Sequence, residues 1–188
     1  MSIDMANVVV VFHSGYGHTL RMAQAVAEGA DAELVAIDAE GNLPEGGWDA
    51  LAGADAIIFG SPTYMANYSW QFKKFADASS KQWFVQGWKD KLAAGFTNSA
   101  GLNGDKLSTL NSMFALAMQH SMIWVSQGLM PANTKAATRN DINNLVSYSG
   151  AIAQSPSDGG ADAMLSGDLE TARLFGKRVA DVAARFRP

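Results

Sequence analysis

The sequence predicts an α/β fold: a doubly wound, five-stranded parallel sheet in the order 2-1-3-4-5, with helices on both faces. Three observations predict it. The apolar runs Val8–Phe12, Ala56–Gly60 and Leu92–Phe96 are continuous, not alternating, as in strands buried on both faces. The stretches between them carry helical spacing, so right-handed strand–helix–strand units follow. With 188 residues, 48% hydrophobic and 17% charged, the composition is that of one globular domain spanning 1–188.

Taken in order, Val8–Phe12 is the first strand, four of its five residues being β-branched. It runs into Ser14-Gly15-Tyr16-Gly17-His18-Thr19, after which Leu20, Ala23, Ala27 and Ala30 recur at helical spacing. A strand, a small hydroxylated loop and a helix N-terminus together make a phosphate site, because free N–H groups and the helix dipole both favour an anion. The spacing Ser-x-x-Gly-x-Thr is neither the dinucleotide fingerprint nor the Walker pattern. A plain glycine turn has the same look, so this loop alone leaves both readings open.

Ala32–Asp38 reads as the second strand, the stretch 41–47 as a loop with Pro44, and Trp48–Ala54 as a short helix. The third strand, Ala56–Gly60, is expected to stop at Ser61-Pro62, where Pro cannot donate to a ladder. Trp70, Phe72, Phe75 and Ala76 predict a helix over 69–79. Leu92–Phe96 is the fourth strand, followed by the loop Thr97–Gly104. Leu107, Leu110, Met113 and Ala117 predict a helix ending near His120, and Met122–Val125 is the fifth strand. The stretch 127–167 is too long and polar for an ordinary connection, and reads as functional or oligomer-forming. Asp168 is expected to cap a last helix with Leu169, Ala172, Phe175, Val179 and Val182 on one face.

Composition excludes several classes. With no cysteine there is no disulfide, thiolate nucleophile or iron–sulfur cluster. Three histidines without ligand spacing argue against a metal centre built by the protein. The net charge of −4 argues against nucleic acid as a partner. No signal-like start and no membrane-length apolar run are seen, so no membrane insertion and a cytoplasmic location are expected.

In a sheet of this order, the loops after strands one, three and four meet at the switch point where ligands bind. Those loops, 14–19, 61–67 and 97–104, hold hydroxyls, amides, glycines and aromatics but no acid–base pair. That inventory suits gripping a planar cofactor that bears a phosphate.

These three segments, Ser14–Thr19, Gly60–Asn67 and Lys91–Asn98, resemble in order those of the flavodoxin-like superfamily. They are most similar to WrbA-type NAD(P)H:quinone oxidoreductases and NADPH-dependent FMN reductases. The resemblance implies a flavodoxin-like fold and an FMN site. Carried over, Ser14, Tyr16, Gly17, His18 and Thr19 would bind the phosphate. Pro62, Thr63, Tyr64 and Asn67 would lie along the ring and ribityl chain; Thr97, Asn98, Ala100, Gly101 and Gly104 would wrap the other edge. Tyr64, Trp83 and His120 would frame the catalytic face, Tyr64 standing where the family usually has Arg. By itself His13 would pack or make a backbone hydrogen bond at its strand end, His18 would meet phosphate or solvent, and His120 would favour a helix C-terminus.

The implied activity is ping-pong hydride transfer, with NADPH or NADH as donor and a quinone-like small molecule as acceptor. A homodimer or homotetramer is expected. The alternative is a flavodoxin-like FMN carrier that docks to a redox partner protein.

Overall fold

The computed structural model describes residues 6–186. Its elements run β1 (Val8–His13), α1 (His18–Ala30), β2 (Glu33–Ile37), α2 (Gly47–Gly53), β3 (Ala56–Tyr64), β4 (Asn67–Tyr68), α3 (Trp70–Ala78), α4 (Ser80–Phe84), β5 (Leu92–Ser99), α5 (Lys106–Gln119), β6 (Ile123–Trp124), β7 (Ala151–Gln154) and α6 (Ser166–Phe186). The sheet path is β2-β1-β3-β5-β6, all parallel, which is the predicted order. Helices cover both faces.

The strand β1 shows why an unbroken apolar run was required. Alternate side chains point to opposite faces. Val8, Val10 and Phe12 pack with Met22, Val26, Phe175 and Val179 under α1 and α6. Val9 and Val11 pack with Phe59, Phe72, Phe75, Trp88 and Met113 under α3 and α5. Full burial of each such side chain stabilises by about 1.5–3 kcal/mol, so a polar replacement at any of these five positions is costly. The helices α1 and α6 cross very closely. An added Cβ on Gly176 would lie 2.0 Å from the Val26 carbonyl oxygen, so only glycine fits there.

Three details depart from the sequence reading. The strand β3 does not stop at Pro62 but continues to Tyr64, with Pro62 opposite Asn98. Pairing with β1 ends at Gly60, so Pro62 lies where β3 has lost that neighbour, and a missing donor is tolerated. The fifth position of the sheet is shared. β6 pairs only with Leu92 and Ala93, the chain then leaves, and β7 returns to pair with Phe96–Ser99. The long segment is therefore an insertion that completes the edge of β5. Finally, Asp168 does not cap α6. It lies in the first turn, buried, where its carboxylate accepts from both terminal nitrogens of Arg139 and from the Gln154 N–H.

Candidate functional site

β1, β3 and β5 end at one rim, and the loops beyond them enclose a crevice of about 490 Å³, within the usual ligand-pocket range. Tyr16, His18 and Thr19 line one side, Pro62, Thr63 and Tyr64 the second, Asn98, Ser99 and Ala100 the third. No crevice-lining residue is an Asp, Glu, Lys or Arg.

The first loop is organised around Ser14. Its Oγ accepts from the N–H groups of Gly17 and Leu20, both at 3.1 Å. Gly17 has φ 89°, a left-handed conformation that glycine adopts without cost, and it precedes the first turn of α1. Among the described residues the N–H groups of Tyr16, His18 and Thr19 meet no protein acceptor. Free N–H groups at the start of a 13-residue helix are an anion cradle that needs no cation.

Two buried networks tie the loops together. The Thr19 hydroxyl donates to the Asn98 carboxamide oxygen at 2.7 Å, and the Asn98 amide donates to Ser155 Oγ at 3.0 Å. Thr63 Oγ1 lies 2.8 Å from both Thr97 Oγ1 and Thr109 Oγ1, joining β3, β5 and α5. Below them, buried His13 sits with Nδ1 2.8 Å from Ser69 Oγ, and burial lowers its pKa. His13 is thus buried at its strand end, but its hydrogen-bond partner is a side chain, not the expected backbone group.

Tyr64 leans across the crevice mouth, edge-on to Tyr16 with ring centroids 6.3 Å apart. A Cβ on Gly15 would fall 2.7 Å from the Tyr64 hydroxyl, so the absent side chain makes room for it. Burial, then Tyr16, raises the Tyr64 pKa, so the hydroxyl stays a donor at neutral pH. The turn after it is a tight hairpin in which Met65 (φ 46°) and Ala66 (φ 64°) are both left-handed. A two-residue turn of this hand demands that conformation, and neither residue adopts it freely.

The crevice brings together Tyr16, His18, Thr19, Pro62, Thr63, Tyr64, Asn98 and Ala100 of the predicted set. Ser14, Gly17 and Thr97 act from behind; Thr97 is fully buried and reaches the site through Thr63. Gly101 and Gly104 lie in the adjoining exposed loop. Asn67 is exposed in β4, its Oδ1 accepting from Tyr68 N–H.

Trp83 and His120 are not in the crevice of this chain. They line a separate cavity of about 320 Å³ with Phe84, Gln86, Gln119 and Ser121. His120 precedes β6, which pairs with Leu92 at the start of β5, whereas Asn98 stands at the end of that strand. The two sites therefore lie toward opposite ends of β5. His120 is a core residue here. Its ring packs on Trp88 at 4.4 Å and its Nε2 lies 2.8 Å from Ser79 Oγ, which itself donates to the Ala76 carbonyl. Burial holds the imidazole pKa below its ordinary value.

The sequence reading missed Ser99 and the stretch from Ser155 to Gly160. Ser155, Pro156, Ser157, Gly159 and Gly160 form a fourth wall, and His18 Nε2 lies 3.0 Å from the Gly159 carbonyl oxygen. The turn-forming residues Ser-Pro-Ser-Asp-Gly-Gly were a visible signal of a loop, but not of where it would land. Ser99 lines the crevice, while its Oγ is buried against Gly104 with no hydrogen-bond partner. A cradle of unpartnered N–H groups beside a hydroxylated, aromatic cleft fits a phosphate-bearing planar group such as FMN.

Residues 9–136 match the sequence profile described as NADPH-dependent FMN reductase. The chain is 61% identical over 182 residues to "Flavodoxin FldP" of Pseudomonas aeruginosa (strain UCBPP-PA14), covering 97% of this chain and 99% of that protein. It is 32% identical to an NAD(P)H dehydrogenase (quinone) of Archaeoglobus fulgidus, covering 97% and 100%. Among solved structures, the flavodoxin, WrbA-like protein from Agrobacterium tumefaciens superposes with a TM-score of 0.82 at 58% identity, covering 97% and 99%. Profile, relatives and fold agree with the crevice, and the chain belongs to the NADPH-dependent FMN reductase family, as a flavodoxin-like, WrbA-type member.

Proposed function

We propose that the crevice holds FMN and that the protein is an NAD(P)H:acceptor oxidoreductase, with a quinone-like small molecule as acceptor. The observation that carries this reading is the crevice lining itself: aromatic and hydroxylated, without an Asp, Glu, Lys or Arg. Planar, weakly charged rings suit such walls better than the charged surface of a protein partner does.

Ser14, Tyr16, Gly17, His18 and Thr19 would hold the phosphate on backbone N–H groups and the helix N-terminus. Asn98, Ser99 and Thr63 would supply polar contacts to the ring and ribityl chain. FMN, when bound, supplies the two-electron chemistry between donor and acceptor. Tyr64 keeps its proton, and its hydroxyl is placed to donate to an acceptor oxygen that gains negative charge. Donor and acceptor would use one crevice in turn, which is a ping-pong cycle. Trp83 and His120 line a separate cavity near the start of β5, away from the crevice of the same chain.

A second reading, a carrier of single electrons to a protein partner, is favoured by the 61% identity to a protein named as a flavodoxin. Initial-rate kinetics with NADPH or NADH and a soluble benzoquinone separate the two. Parallel double-reciprocal lines support the shared crevice. Intersecting lines contradict it, and turnover only in the presence of a reductase protein establishes the carrier.

A further inference from the structure

Lys106 is the first residue of α5 and is only 1% exposed. A cation is doubly misplaced there, since burial penalises its charge and the positive end of the helix dipole repels it. Burial pulls its pKa down to about 8. What offsets the cost is the loop just before it. The ammonium donates to the carbonyl oxygens of Gly101 at 2.5 Å, Leu102 at 3.1 Å and Asn103 at 3.3 Å. Three consecutive carbonyls are thereby turned inward around one cation. Gly104 (φ 53°) and Asp105 (φ 52°) take successive left-handed conformations to close the loop. Among the described residues, the N–H groups of 100–104 donate to no protein acceptor, and these residues are all exposed.

The loop adjoins the crevice through Ser99 and Ala100, and Gly104 packs on the orphaned Ser99 hydroxyl. The same helix reaches the crevice one turn later, through Thr109 and Thr63. Two other charged groups act on Lys106: Asp168 from α6 and Arg139 from the long insertion. They are paired with each other at 2.8 and 2.6 Å, so their charges cancel as a unit. Lys106 is left as a buried positive charge beneath an exposed loop whose N–H groups have no protein acceptor.

We propose that Lys106 is a positioning residue for reduced FMN: it turns the 101–103 carbonyls inward, presents the loop's N–H groups to the ring, and sets a positive charge behind them. This inference rests on the FMN reading above. A hydride taken up by the ring brings an electron pair, and without a compensating proton the reduced ring is anionic. A buried cation and oriented donors favour that form over the neutral oxidised one.

The test is the FMN affinity of the oxidised and reduced protein, with the two-electron midpoint potential, for the unaltered chain and for Lys106→Met, Lys106→Gln and Lys106→Arg. Glutamine keeps a donor for the carbonyls without the charge, so it guards against collapse of the loop in the methionine variant. In Lys106→Gln, reduced FMN should bind about tenfold more weakly while oxidised FMN changes little, lowering the potential by about 30 mV. Lys106→Arg should stay near the unaltered value. An unchanged potential in both neutral variants would overturn the proposal. So would an equal loss of affinity for both redox forms, because that marks a purely structural lysine. Failure of the unaltered chain to bind FMN would instead remove the functional reading on which this one stands.

Discussion

The Thr19 hydroxyl and the Asn98 carboxamide, 79 residues apart in the chain, meet at 2.7 Å in the buried wall of the crevice. This bond locks the start of α1 to the end of β5, so the anion cradle and the ring-side wall move as one body. Asn98 also holds Ser155 of the insertion.

Replacing Asn98 with Ala strands the Thr19 and Ser155 hydroxyls. An unsatisfied buried group costs about 1–3 kcal/mol, so FMN affinity should fall roughly tenfold or more. Fluorescence titration of FMN against the variant checks this; an unchanged affinity would show that the bond does not shape the site.

The hairpin after Tyr64 carries strain that can be relieved. Ala66 at φ 64° bears a left-handed penalty of about 1–2 kcal/mol. Glycine removes it and returns about 0.5–1 kcal/mol in unfolded-state entropy. Ala66→Gly is therefore expected to stabilise by about 0.5–1 kcal/mol, read from urea unfolding.

At the α1–α6 crossing the sign is reversed. Gly176→Ala drives a methyl group against the backbone at Val26 and should cost about 1–3 kcal/mol or more. Thermal unfolding reads the loss.

Acid should destabilise the fold through two histidines. His13 and His120 have folded-state pKa values held below 6.5 by burial, while the unfolded chain titrates near 6.5. Between those values the unfolded state binds more protons, so stability falls as pH drops below 6.5. His120→Gln should flatten that fall, measured as unfolding free energy against pH, and His13→Asn should flatten it again.

The strand order was legible because short, β-branched apolar runs alternate with stretches of helical spacing, which is the pattern of central strands in a parallel sheet. The Ser14–Thr19 loop was legible because its chemistry is local. The end of β3 was misread because tolerance of Pro62 depends on β1 stopping at Gly60, which no local pattern records. Ser155–Gly160 was missed for the same reason: its place in the crevice is fixed by pairing between β7 and β5. His120 and Trp83 fit the resemblance as residue types, yet this chain places them toward the opposite end of β5 from the crevice.

The most direct measurement is the visible absorption spectrum of the protein with FMN, before and after anaerobic addition of NADPH or NADH. The account predicts flavin bands that shift on binding to the protein and bleach when the nicotinamide is added. Bands that persist would contradict direct hydride transfer, and a spectrum indistinguishable from free FMN would contradict the site itself.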